Sequence, residues 1–522
     1  MRRFNLSLLA ILLCALILRL IGIADRPLWY DEAFAVLFSD TGLEGMLYGT
    51  LTPVAGGAAD IHPLLYYLSL DVWMSLFGQS PTAVRLWSVI LGVITVHVVY
   101  RLARDLFEDE RPALASALIA AISPFLVQYG QEVRMYSLMS LLLTLATWLF
   151  VRGLRAGKFA PRYWIPFGIV AALAMYTQQL SAFYLGALAL TPIVLRRRSA
   201  LPGLAFGALI GIVIYLPWLV NIPSQLAKVG SYYWIPVPNA TRPLLTLRSF
   251  FAANLDLPAP QSLIALFAAL IVMVFLVVQI LLRLRGKIAL ERFAVRFAVW
   301  MFASPILFMW LISQVRPVYL DRGLIGSAVM LCIALGWLFT KGGLPRPIAI
   351  VLGGIALIAA GIGLQAHYTW RTFPNSPFES VIRDVTANWQ TGDVIVHQDK
   401  LTALPSLYYA EQGSSDVLLT QAYLRDTPGS SDDTLALPTQ QTLGWLADDC
   451  LQTAVNNADR VWWVMFSFAP AQYDAAGSGE LRDQLAWLDA HYTRAGENQF
   501  NDLVVILFNN PRDLPPQPEC SA

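Results

Sequence analysis

Residues 6–23 read LSLLAILLCALILRLIGI and residues 29–34 read WYDEAF, an apolar run with two adjacent carboxylates among aromatic rings close behind it. A run of about 20 apolar residues is what carries a helix across a hydrocarbon core. The opening Met1-Arg2-Arg3 gives this run the look of a secretory signal. No small-residue cleavage site follows it, so it reads as a retained first span. The same pattern recurs along the chain. Eleven span cores are expected, at Leu6–Ile23, Leu86–Ala103, Pro112–Val127, Tyr136–Val151, Ile165–Tyr176, Ser181–Leu195, Leu201–Val220, Ser262–Leu282, Phe297–Ile312, Leu324–Phe339 and Ile348–Gln365. The fifth and sixth are short and joined tightly near Gln178-Gln179.

Composition excludes an ordinary soluble protein. Apolar residues make up 57% of the 522 and charged residues only 14%, against about 25% charged in soluble domains. The net charge of +1 conceals two opposed parts. Up to Phe378 there are 29 basic and 15 acidic residues; beyond it there are 7 and 20, completing the chain's 36 and 35. The basic residues gather in alternate loops: Arg2-Arg3, Arg101 with Arg104, Arg152 to Arg162, Arg196-Arg197-Arg198, Arg283 to Arg296, and Lys341 to Arg346. The intervening loops, such as Pro27 to Pro81, are poor in them. By the positive-inside rule the amino terminus lies in the cytoplasm, and an odd number of spans puts the acidic tail outside, as expected of a cytoplasmic (plasma) membrane protein. The scattered cations make no aromatic-laced patch, so no nucleic-acid partner is expected.

From about Ser376 the pattern changes to an α/β alternation. Helices are expected at Phe378–Trp389, Ala403–Glu411, Thr439–Asn456 and Glu480–His491, and strands at Asp393–His397, Arg460–Phe466 and Leu503–Phe508. Thr427–Thr434 reads as an exposed loop. The expected fold is thus mainly α: a polytopic transmembrane helical bundle over 1–375, with an outer loop at about 24–81, and a soluble extracytoplasmic α/β domain over 376–522. Cys450 and Cys520 both fall in the tail. Outside the cytosol they would either pair or stay as two thiols.

Only fifteen acidic residues lie in the membrane part, so each is informative. Ten face outside on this topology: Asp25, Asp31, Glu32, Asp40, Glu44, Asp60, Asp71, Glu132, Asp256 and Asp321. A carboxylate near lipid is costly unless it is paired or lines a wet cavity. Asp25, Asp40, Glu44 and Asp256 read as solvated loop charges. Asp31-Glu32, beside aromatic rings, reads as a candidate base. Asp60-Ile61-His62-Pro63-Leu64-Leu65-Tyr66-Tyr67 is a second constellation; its lone His62 is more often structural than a ligand, and no His-x-x-x-His pair supports a metal site. Gln131-Glu132-Val133-Arg134-Met135-Tyr136 is a third, in which Glu132 and Arg134 would otherwise simply pair. Arg316 to Arg322 is a fourth. Two guanidiniums at a membrane surface suit an anionic phosphate, or they position a helix end at the headgroups; spacing alone allows both. Asn239-Ala240-Thr241 reads as a chance sequon. Acids and arginines together converge on the outer face, where nucleotide sugars and ATP are not normally available, so the substrate there would have to carry its own activation.

With these residues in place the sequence resembles the membrane glycosyltransferases of the C-type fold (GT-C) that use polyprenyl-phosphate sugars, the group containing protein O-mannosyltransferases and lipid A aminoarabinose transferases. The resemblance is carried by Asp31-Glu32, Asp60-x-His62-Pro63-x-x-Tyr66-Tyr67, Arg85-Leu86 and Gln131-Glu132-x-Arg134-x-Tyr136-Ser137. It covers the chain to about Leu195 and is looser beyond. It implies Asp31 as the catalytic carboxylate with Glu32 shaping the site beside it. Asp60 and His62, with Tyr66, Arg85 and Tyr136, would place donor or acceptor. Glu132 and Arg134 match the loop between the third and fourth spans, where Arg134 would contact phosphate; Arg316 and Arg322 are further candidates for that charge. Relatives follow the late arginine with tyrosine, whereas Gly323 follows Arg322 here. Many place a histidine between the fifth and sixth spans, where this chain has Thr177-Gln178-Gln179, so no role for imidazole is inherited there.

The implied reaction is attack by an acceptor hydroxyl on the anomeric carbon as polyprenyl phosphate departs, with inversion in a single displacement. The acceptor is a lipid, a glycan or a protein. No cofactor is read, and a divalent metal is left open. Two other readings compete with it. A transporter or flippase would place polar groups near the midplane on broken helices, often in repeated halves, and no matching halves are found. A sensor whose tail does the work would need an assembled nucleophile and base in the tail, and none is found.

Overall fold

The computed structural model describes residues 6–157, 159–231, 235–283, 289–371, 373–412, 418–425 and 435–512. The expected loop at 427–434 and Cys520 lie outside them; Cys450 takes part in a disulfide. All eleven apolar runs are helical. Among the described residues seven helices have the length and composition to cross a membrane: Pro81–Phe107, Tyr136–Arg155, Arg198–Leu219, Ala259–Leu282, Leu290–Ile312, Asp321–Thr340 and Arg346–Thr369. An eighth span results if the bent pair Glu110–Ile122 and Pro124–Gly130 is counted as one. Of the other three, Pro161–Thr177 and Ser181–Val194 have 17 and 14 residues and at about 1.5 Å per residue fall short of a full bilayer core, and Leu6–Leu20 has 15 among the described residues. Length and composition therefore support seven or eight crossings, fewer than the eleven expected. The chain is a multi-pass membrane protein.

Side-chain size decides the packing. Ile325–Thr340 is buried along nearly its whole length, and a Cβ on its Gly336 would lie 2.1 Å from the Ser116 hydroxyl of the neighbouring helix. Gly168 meets Gly207 in the same way, with room for backbone only. Close approach through small residues is how helices associate where lipid removes the hydrophobic drive. Outward faces, such as Leu209, Ile212, Val213 and Leu216, or Leu263, Phe267, Val274 and Leu281, stay exposed and apolar.

One charge lies inside a helix of this bundle for a local reason. The chain bends by 59° between Glu110–Ile122 and Pro124–Gly130, because Pro124 has no N–H to continue the ladder. The carbonyls of Ala121 and Leu126, beside the break, accept from the guanidinium of Arg19 at 3.1 and 3.3 Å. Arg19 is 1% exposed. A Cβ on Gly92 or Gly130 would meet its Nε at 2.9 or 2.8 Å. These two glycines make the space in which the arginine satisfies the backbone.

The segment after the first helix folds over the bundle as three helices, Tyr30–Asp40, Gly42–Leu51 and Leu65–Phe77, with a two-residue hairpin, Pro53–Val54 against Gly57–Ala58. The tail rests on this segment. Leu28 N–H donates to Tyr409 Oη (2.8 Å) and Tyr408 Oη to Gln79 O (2.7 Å). Thr439 Oγ1 donates to Gly49 O (2.7 Å), at a place where a Cβ on Gly49 would meet Thr442 Oγ1 at 2.8 Å.

The tail's mixed sheet runs in the order Gln421–Tyr423, Asp393–His397, Arg460–Phe466, Leu503–Asn509, Thr493–Phe500. The first three strands are parallel, and Leu503–Asn509 is antiparallel to both of its neighbours. Two of these strands were not expected. Gln421–Tyr423 has only three residues, and TRAGENQF (Thr493–Phe500) is an exposed edge with no apolar alternation to read. The helix expected at Thr439–Asn456 is divided into Leu437–Thr442 and Leu451–Val455. Gly444, at φ +70°, turns the chain between them.

Candidate active site

Asp31 and Glu32 occupy the first turn of Tyr30–Asp40, where the partial positive charge of a helix start favours carboxylates. Successive residues on a helix point about 100° apart, so the two acids part company. Glu32 turns inward and is fully buried. It forms a fork with Arg85, Nε to Oε1 at 3.0 Å and Nη2 to Oε2 at 2.6 Å, and accepts the Val133 N–H at 3.0 Å. Arg85 also donates to the carbonyls of Ile23, Arg26 and Pro27. Those five hydrogen bonds match the five N–H donors of a guanidinium. Nothing remains for a phosphate, so the geometry gives Arg85 a structural part in place of the substrate contact expected, and Glu32 is its counter-ion.

Asp31 faces the other way and collects free cations. Arg322 Nη1 lies 3.0 Å from Oδ2. Arg134 Nε is 3.7 Å from the same oxygen, an ion pair too long for a hydrogen bond, and its Nη1 donates to Asp31 O at 3.3 Å. Arg322 lies over the Tyr136 ring, 5.3 Å from its centroid. Burial opposes ionisation of Asp31, but Arg134, Arg322 and His62 outweigh it and hold the carboxyl below the usual range. The Nε atoms of both arginines are buried without hydrogen-bond partners. Donor capacity is thus left over at the spot where the arginines already meet a negative charge. The glycine after Arg322 also has a physical basis, since a Cβ there would come within 2.6 Å of Leu180 Cδ1.

Asp60 Oδ1 accepts from the backbone N–H of Ile61 and His62 and pairs with His62 Nδ1 at 2.8 Å. Tyr66 and Tyr67 are fully buried at the start of Leu65–Phe77. The Tyr67 hydroxyl has no partner, and burial raises its pKa. Gln225 donates to Asp60 O at 3.3 Å and accepts from Gln179. The Thr177-Gln178-Gln179 turn therefore reaches the Asp60 loop by a relay of amides that sequence reading missed. Gln225 sits far along the chain in a helix without acidic residues, and nothing in its local pattern marks it. Arg316 is exposed and takes no part in the cluster's described ion pairs. Asp321 pairs with Arg242 at 2.8 Å. Asp25, Asp40, Glu44 and Asp256 are exposed, as their reading as solvated charges requires. Among the described residues no three His, Cys, Asp or Glu side chains are grouped to hold a metal.

Glu132 differs from every other carboxylate here. It is 4% exposed and its Oε2 has no hydrogen-bond partner. Burial pushes it up to about 7, despite Arg322 and Arg26 nearby. The raised value means that its contribution to stability is present below about pH 4.5 and lost as pH rises through about 7. The Glu132→Gln variant cannot ionise. It is expected to unfold with the wild type near pH 5 and above it at pH 8, by an advantage of up to roughly 3 kcal/mol. Thermal unfolding in nanodiscs at both pH values checks this, and equal unfolding temperatures at pH 8 would refute it.

Comparison with known proteins places the fold. The profile of the family described as dolichyl-phosphate-mannose-protein mannosyltransferase matches residues 61–220. The chain is 28% identical over 169 residues to undecaprenyl phosphate-alpha-4-amino-4-deoxy-L-arabinose arabinosyl transferase 1 of Pseudomonas fluorescens, covering 31% of each protein. It is 26% identical over 177 residues to the corresponding Pseudomonas aeruginosa transferase, covering 33% of this chain and 32% of that one. The chain thus spans about a third of the length of the curated relatives it matches. Among solved structures, ArnT from Cupriavidus metallidurans bound to undecaprenyl phosphate superposes with a TM-score of 0.61 at 13% identity, over 96% of this chain and 97% of that one. The Archaeoglobus fulgidus oligosaccharyltransferase gives 0.52 at 12% identity, over 97% and 74%. The fold is that of the C-type membrane glycosyltransferases.

Proposed function

We propose that this chain moves a sugar from a polyprenyl-phosphate carrier to an acceptor hydroxyl at the outer face of the cytoplasmic membrane. The observation that carries the reading is the Asp31–Arg134–Arg322 cluster, built where helices end on the folded-over segment. A transporter would need its polar site within broken helices near the midplane. The topology that goes with this reading has eleven crossings, the bent pair and the three shorter helices being counted with the seven long ones, a cytoplasmic amino terminus, a membrane part to about residue 375 and an extracytoplasmic tail.

The cluster suggests its own order of events. In the resting site the arginines hold Asp31 ionised, which makes it a weak base. A donor phosphate competes for both guanidiniums, the groups suited to bidentate phosphate contact. As they turn to the phosphate, Asp31 loses its strongest counter-charges and its proton affinity rises. The acceptor oxygen then bonds to the anomeric carbon, the bond from that carbon to the phosphate oxygen breaks, and the hydroxyl proton passes to Asp31. Polyprenyl phosphate leaves with its charge balanced by Arg134 and Arg322. His62, steered by Asp60, and Glu132 line the approach.

The test uses the full chain in nanodiscs with undecaprenyl-phosphate carrying a radiolabelled pentose, hexose or amino-pentose, with and without membrane lipid extract as acceptor. Acceptor-dependent release of undecaprenyl phosphate from at least one donor is the expected result. Movement of intact labelled donor across vesicles without cleavage would replace this reading with transport.

A further inference from the structure

A polar cavity lies in the tail, lined by none of the residues of the acid–arginine cluster. It has a volume of about 460 Å³, within the range of about 300–1,000 Å³ seen for small-molecule sites. Its floor is one face of the sheet. Trp462 pairs in register with Leu507, and Leu507 with Gly496, so the three lie in a row across adjacent strands. The row ends at a glycine whose added Cβ would meet nothing within 4 Å. The floor thus runs from the buried indole of Trp462, 4% exposed, through the part-exposed Leu507 to an open gap at Gly496. The end of Phe378–Ala387 and the residues after it form the wall, with Asp384, Asn388, Trp389 and Gln390; Asn498 borders the gap.

The floor is held rigid. The Trp462 indole N–H donates to Asp393 Oδ2 at 2.9 Å. Arg460 makes a fork to the same carboxylate at 2.7 and 2.6 Å and lies over the Trp462 ring, 5.6 Å from its centroid. That pairing also settles the charge. Among the described residues the one guanidinium lining the cavity, that of Arg460, is paired with Asp393, so no unpaired cation is offered there to a phosphate or carboxylate. What the lining presents is aromatic and apolar surface, amides and one carboxylate, Asp384. Sugars match this combination, with an apolar C–H face for the floor and hydroxyls that both donate and accept for the rim.

We infer that the tail carries a carbohydrate-binding site between its sheet and the end of Phe378–Ala387, seating a neutral sugar on Leu507 and in the gap at Gly496, against Trp389. The inference does not rest on the transfer reading, because binding here requires no chemistry at Asp31. If transfer holds, the sugar bound here belongs to the acceptor or the product.

The full chain in nanodiscs is titrated with mannotriose, cellotriose and arabinotriose, followed by saturation-transfer difference NMR and tryptophan fluorescence. Saturable binding of at least one is expected. Gly496→Leu, which fills open space at an exposed strand position, and Trp389→Ala are each expected to weaken that binding by about tenfold or more. Asp31→Asn is expected to leave it unchanged. Absence of saturable binding by all three sugars, or wild-type affinity in both Gly496→Leu and Trp389→Ala, overturns the site. Thermal unfolding of the two variants shows whether a loss reflects the cavity or the fold, and retained unfolding temperature with lost binding is the result that supports it.

Discussion

Asp31→Asn is expected to lower sugar transfer by about 10²–10⁴-fold, the range for loss of a positioned base, while donor affinity is kept or improved. Two opposed effects lead there. The amide is no match for a carboxylate as proton acceptor, so the turnover number falls. The same change removes the negative charge that Arg134 and Arg322 share at 3.7 and 3.0 Å, leaving both guanidiniums to a donor phosphate. The variant should therefore show a low turnover number and an unchanged or smaller KM for donor, a split that general damage to the fold would not give. Stability supplies a second readout. The folded-state pKa of Asp31 is depressed, so its contribution to stability is present at neutral pH and lost as pH falls through that depressed value. The wild type's advantage over Asp31→Asn in unfolding temperature should accordingly shrink on acidification. Near-normal turnover in this variant would remove Asp31 as the base.

The scarcity of charge made this part of the site legible in the sequence. With so few carboxylates among apolar runs, Asp31, Asp60 and Glu132 stand out as costly residues, and Arg134 and Arg322 as candidates for an anionic phosphate. What the sequence could not convey was direction. Asp31 and Glu32 are neighbours in WYDEAF, yet one helical step sends them to opposite partners, and the partner of Glu32 is Arg85, beyond two further helices. The Gln179–Gln225–Asp60 relay is hidden for the same reason: amides carry no charge that would draw notice to them. In the tail, strands with apolar alternation were readable, while the polar edge at Thr493–Phe500 was not. Hydropathy marked helices well but crossings less well, because a helix such as Ser181–Val194 is apolar without being long.

Glu32→Gln is expected to destabilise the protein by roughly 3–5 kcal/mol, the cost of leaving one member of a buried ion pair uncompensated. Both partners are essentially inaccessible, at 0% and 1% exposure, so solvent cannot screen the orphaned guanidinium. A glutamine would also turn an N–H₂ towards Arg85 where an oxygen now accepts. Replacing both residues with apolar ones often recovers such a loss, but Arg85 holds three carbonyls as well, those of Ile23, Arg26 and Pro27. Each buried acceptor left unmet costs about 1–3 kcal/mol. The double variant Glu32→Leu with Arg85→Met should therefore be no less stable than Arg85→Met alone, yet remain below wild type. Their coupling in a double-mutant cycle should be large, because the two side chains share hydrogen bonds. Thermal unfolding of wild type, Glu32→Leu, Arg85→Met and the double variant in nanodiscs measures this. Since the clamped residues 23–27 lead directly into the helix that carries Asp31, turnover should fall with stability in every member of the cycle. A Glu32→Gln protein with wild-type unfolding temperature and turnover would show that the pair does not hold the segment in place.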